Sequence, residues 1–110
     1  MERQTKKMSE LFEKRKLFSS LIPRLIDKMI ADGYTPLLGK DGLKHMAGSL
    51  HFDGLAEDID LFKDGVYLDK TEGHKPFGEF WEGLNPECCW GGRFEPPDGN
   101  HYSVGFMGKK

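Results

Sequence analysis

At 110 residues and 12.5 kDa the chain has room for one domain with a modest core. Charged residues make up 31% and apolar ones 37%, with eight Phe, three Tyr and two Trp, which suits a globular fold and excludes wholesale disorder. The net charge of −2 divides unevenly, ten Lys/Arg against six Asp/Glu over residues 1–52 and six against twelve over 53–110. The aromatics fall mainly in the acidic half, which argues against a nucleic-acid-binding protein. No apolar run approaches the roughly 20 residues of a membrane-spanning helix. The opening MERQTKKMSELFEKRK lacks the apolar stretch of a secretory signal. Cys88 and Cys89 are adjacent and cannot close an ordinary disulfide, so a reducing compartment is expected, with small apolar packing as their role.

In chain order, residues 1–16 read as a polar lead-in, mobile or a solvated helix, ahead of a single domain over residues 17–110. Phe18, Leu21, Ile22, Leu25, Ile26, Met29 and Ile30 follow the i, i+3, i+4 spacing of an amphipathic helix. Ser19 or Ser20 can cap it, Pro23 then has to lie in its first turn, and Asp32-Gly33 ends it. A short strand is expected over Tyr34 to Leu38, followed by a glycine-bearing loop from Gly39 to Gly48. Ala56 to Phe62 alternates acidic and apolar residues, as a strand does with Ile59 and Leu61 facing the core. Lys63-Asp64-Gly65 is a turn into a second strand, Val66-Tyr67-Leu68. Thr71 to Leu84 reads as a helix with Pro76 in its opening turn and Phe77, Phe80, Trp81 and Leu84 as its apolar stripe. The rest, through Trp90-Gly91-Gly92 and Pro96-Pro97-Asp98-Gly99, is expected to be loop-rich until a strand near Tyr102 to Phe106. The sum is a small α+β domain.

Two stretches carry residue types that a core alone does not require. One runs from Ser49 to Asp60; the other contains Trp90-Gly91-Gly92-Arg93-Phe94 and then Asp98-Gly99-Asn100-His101-Tyr102. A catalytic zinc site needs three protein ligands and an open fourth position, with a carboxylate nearby to take a proton from water. His51, Asp58 and His101 can supply the ligands, and Asp98, three residues before His101, the base.

The pattern S-x-H-x-x-G-x-A-x-D, formed by Ser49, His51, Gly54, Ala56 and Asp58, together with D-x-x-H at Asp98 and His101, resembles the M15 zinc peptidases. That family includes D-Ala-D-Ala carboxypeptidases and phage L-alanyl-D-glutamate endopeptidases. The segments LFKDGVYLDKTEGHKPFGEFWEGL, WGGRF and DGNHYS are similar to its small phage-encoded members. The resemblance implies a small antiparallel sheet with two or three helices around a zinc site, the M15/hedgehog-like peptidase fold. It implies that His51, Asp58 and His101 bind Zn²⁺ and that Asp98 is general base and then general acid. Ser49 and Asp60 would hold the ligands in orientation, and Trp90 and Lys44 are candidates to contact substrate. The expected partner is the peptidoglycan stem peptide, met by a monomer that accumulates in the host cytoplasm, or is carried by the virion, and acts on the cell wall. One departure is visible: the family's Arg upstream of the first His has no counterpart between Gly33 and His51, where Lys40 and Lys44 are the only cations.

Plainer readings stand beside this one. His51 and Asp58 can be a surface ion pair, Asp98-Gly99 only a turn, and His101 a satisfied core histidine. His45 reads as a solvated loop residue and His74 as structural. At the level of function, the alternative is a zinc-bearing but non-catalytic peptidoglycan-binding module, and beyond that a purely structural domain.

Overall fold

The computed structural model describes the backbone of residues 2–38 and 54–110, and side chains within those ranges from residue 8 onward. Two helices, α1 (Glu2–Ala31) and α2 (Thr71–Leu84), pack on a sheet of five strands: β1 (Thr35–Leu38), β2 (Ala56–Lys63), β3 (Val66–Tyr67), β4 (Cys88–Trp90) and β5 (His101–Val104). The strand order is β1-β2-β5-β4, with β3 hairpinned onto the end of β2, and every pairing is antiparallel. The α+β class expected from the sequence is therefore the one observed. Among the described residues no helix is long and apolar enough to cross a membrane.

The lead-in takes the helical one of the two forms expected for it, and α1 differs from expectation in running through without a separate start. It begins at Glu2, not at a serine cap, and runs through Pro23. The first sixteen residues contain no Gly or Pro and are rich in Glu, Lys, Arg, Met and Leu, all good helix formers. Ser20 lies inside the helix, its hydroxyl donating back to the Leu17 carbonyl at 2.7 Å. Pro23 removes only the hydrogen bond to the carbonyl of Ser19, an exposed residue whose oxygen water can satisfy. Phe18, Leu21, Leu25 and Met29 enter the core, whereas Ile30, assigned to the same stripe, is exposed. The helix ends as the sequence indicates. Gly33 takes φ +91°, its N–H reaches the Ile30 carbonyl, and the Tyr34 N–H reaches Met29 at 2.9 Å, a Schellman closure.

In β2 the alternation holds, with Ile59 and Leu61 fully buried and Asp58 and Asp60 half-buried. Asp64 (φ 52°) and Gly65 (φ 78°) make the two-residue turn into β3. Helix α2 has the expected ends, but Pro76 sits one turn deeper than expected, opposite the carbonyl of exposed Glu72. Phe77 and Trp81 are its buried anchors. The Trp81 indole N–H is shared between the carbonyls of Cys89 (3.1 Å) and Ser103 (3.0 Å), tying α2 to β4 and β5 together. Strand β4 and a single 3-10 turn over Gly91–Arg93 replace the start of the expected loop. Cys88, on β4, is a buried core residue, in keeping with its apolar assignment, and burial pushes its thiol up to about 12.

Candidate metal centre

The register of β2 on β5 sets Asp58 directly opposite His101, so both side chains leave the same face of the sheet. His101 Nδ1 stands 3.7 Å from Asp58 Oδ1. Asp98 reaches the pair from the turn that leads into β5. The three residues offer ligand atoms that all lie within 4.8 Å of one another, with His101 buried, Asp58 half-buried and Asp98 exposed. One imidazole nitrogen and two carboxylates at such separations fit a divalent cation, since ligands about 2 Å from a common ion stand roughly 3–4 Å apart. The exposed Asp98 side leaves the group open to solvent.

The turn carrying Asp98 is built by glycines. The Asp98 N–H donates to the Gly91 carbonyl at 2.8 Å, and the His101 N–H to the Asp98 carbonyl at 3.1 Å. A Cβ on Gly91 would stand 2.0 Å from the Asp98 carbonyl oxygen and 2.7 Å from the His101 Cβ, so only glycine fits. A Cβ on Gly99 would meet the Thr71 Cα at 2.6 Å, which brings the start of α2 against the same turn. Gly91, beside the substrate candidate Trp90, thus admits the protein's own Asp98–His101 turn.

Trp90, a candidate to contact substrate, is buried (3% exposed) and donates its indole N–H to the Gly99 carbonyl at 2.7 Å. Its ring fills the space above Gly78 of α2, where a Cβ would come within 2.1 Å. It acts on the site by anchoring the 98–101 turn, not by facing a ligand. Phe94 packs on the His101 ring at 5.0 Å between centroids. Asp60 lies two residues beyond Asp58 on β2, and its charge acts on His74, opposing the effect of burial there. His51, the third expected ligand, and Ser49, Lys44 and His45 lie outside the described residues. A cation from α1 does approach the first motif: the Arg15 Nε would lie 3.1 Å from a Cβ on Gly54.

A polar recess of about 230 Å³ adjoins Asp98, lined also by Lys70, Thr71, His74 and Asn100. His74 is structural, as expected. It is buried, its Nδ1 pairs with the Tyr102 hydroxyl at 2.8 Å, and burial lowers its pKa from 6.5 to about 4, with Asp60 pulling the other way. It is therefore a neutral wall of the recess at pH 7. Burial likewise raises the Tyr102 phenol, which stays protonated beside the imidazole. Sequence inspection missed this pair because its members lie 28 positions apart on different elements. No protein-family model, curated protein or solved structure matches the chain.

Proposed function

We propose that the chain is a Zn²⁺-dependent peptidase of the M15 type that hydrolyses an amide bond in the peptidoglycan stem peptide, L-Ala-D-Glu or D-Ala-D-Ala, as a phage cell-wall lytic enzyme. The observation that carries this reading is the meeting of Asp58, Asp98 and His101, the residues singled out by motif, in one metal-compatible group. His51 would complete the ligand set. Zn²⁺, when bound, supplies a Lewis acid that polarises the scissile carbonyl and eases deprotonation of the attacking water.

The chain's own residues do the rest. Asp58 and His101 would hold the ion from the sheet face, where strand pairing fixes them opposite each other. Asp98, exposed beside them, takes the proton from water and returns it to the leaving amine. The polar recess next to Asp98 seats the residue flanking the scissile bond, and neutral His74 gives its wall a hydrogen-bonding surface without a charge. The lytic role places the protein in the host cytoplasm until release, or on the virion.

The test is digestion of purified peptidoglycan with and without a chelator, read by mass spectrometry of the fragments. A chelator-sensitive new terminus is expected. Asp98→Ala should keep the metal and lose at least about 100-fold in hydrolysis, whereas His101→Ala should lose both. Retained hydrolysis in the Asp98 variant would remove it from the mechanism. The absence of an Arg between Gly33 and His51 favours a second reading, the non-catalytic zinc module. Metal-loaded protein that cuts none of several wall chemotypes would establish that reading instead.

A further inference from the structure

We infer that the main-chain oxygen of Lys110 is the group that orients His101 as a metal ligand, holding its Nδ1 toward Asp58 and Asp98. The inference rests on the metal-site reading above and adds to it a positioning contact from a segment that no motif includes. His101 Nε2 lies 3.0 Å from the Lys110 main-chain oxygen. A carbonyl-type oxygen can only accept, so Nε2 must carry the proton. In a neutral imidazole that leaves the lone pair on Nδ1, the nitrogen 3.7 Å from Asp58 Oδ1. Lys110 thus selects the one tautomer in which the nitrogen facing the carboxylates can bind a cation.

The segment that delivers Lys110 is specified in the sequence. Phe106 is buried and exchanges two main-chain hydrogen bonds with Lys109, each 3.0 Å. Between them Met107 (φ 55°) and Gly108 (φ 79°) are both left-handed, the signature of a tight two-residue reversal. The Gly105 N–H donates to the Glu87 carbonyl at 3.1 Å, fixing the base of the turn beside β4. The chain therefore doubles back and sets Lys110 against the first residue of β5. Phe94 flanks the same imidazole, limiting its freedom to rotate.

Two measurements test this. In the metal-free wild-type protein at pH 8, long-range ¹H–¹⁵N NMR should show His101 as the Nε2–H tautomer; the Nδ1–H form overturns the inference. Second, Gly108→Val, which places a β-branched residue at a left-handed position, and removal of residues 109–110 should each weaken Zn²⁺ affinity 10–100-fold in competition with a chromophoric chelator. Each should also alter the visible spectrum of the Co²⁺-loaded protein. Met107→Asn, which tolerates the same backbone, should do neither. Wild-type protein that binds neither ion sinks the metal site and this inference together. Wild-type and both altered chains binding Zn²⁺ equally, with identical Co²⁺ spectra, sinks this inference alone.

Discussion

His74 makes the fold acid-sensitive by a predictable amount. Its imidazole is 2% exposed and bonded to Tyr102, and burial lowers its pKa from 6.5 to about 4. The unfolded chain binds that proton near pH 6.5 and the folded chain only near pH 4, so protons favour unfolding across the interval. The stability contributed by neutral His74 is complete above pH 6.5 and drains away as pH falls toward 4. Linkage puts the loss at about 2 kcal/mol by pH 5 and about 3 kcal/mol by pH 4. Urea denaturation of wild type and His74→Asn at pH 7.5, 6 and 5 isolates the effect, because an Asn amide can donate or accept toward Tyr102 but does not titrate. The stability difference between the two should move by about 2 kcal/mol in favour of the variant between pH 7.5 and pH 5. A difference that stays constant with pH, or an NMR titration of His74 near its ordinary value, would refute the reasoning.

Gly91→Ala forces a Cβ to within 2.0 Å of the Asp98 carbonyl oxygen. The 98–101 turn must shift, costing about 1–3 kcal/mol of stability and weakening Zn²⁺ binding; unchanged values in both denaturation and metal titration would contradict the glycine argument. Pro23→Ala restores a main-chain donor inside α1 at an exposed position. It should raise stability by up to about 3 kcal/mol, and a lower melting temperature would speak against a continuous helix there.

What the sequence made legible depended on local pattern. Helix α2 was readable from the Phe77, Phe80, Trp81, Leu84 spacing, and β2 from the alternation of carboxylates with Ile59 and Leu61, because burial on one face imposes those periods. The start of α1 was not, since Pro23 and two serines imitate a helix beginning while the stabilisation of the following turns comes from packing Phe18, Leu21 and Leu25. Strand β4 spans only three residues, Cys88–Trp90, too few to show a period. That Asp58, Asp98 and His101 lie together was legible because the metal-binding motif sought restricts residue type and spacing. The contributions of Gly91, Trp90 and Lys110 were not: a missing side chain, an indole N–H and a main-chain oxygen act through tertiary proximity alone.

The pairing of Asp58 with His101 depends on a single strand register. Sliding β2 past β5 by one position would set Asp58 opposite Tyr102 or Asn100 and send one ligand to the other side of the sheet. On the proposed metal-site reading, a cation gripped by both residues would therefore be a proofreader of sheet assembly, bound only by chains whose central strands are correctly aligned. At a free concentration one hundred times its dissociation constant such an ion favours the aligned state by about 2.7 kcal/mol. On the same reading, metal supply during synthesis would then govern how uniformly the sheet around these residues is threaded.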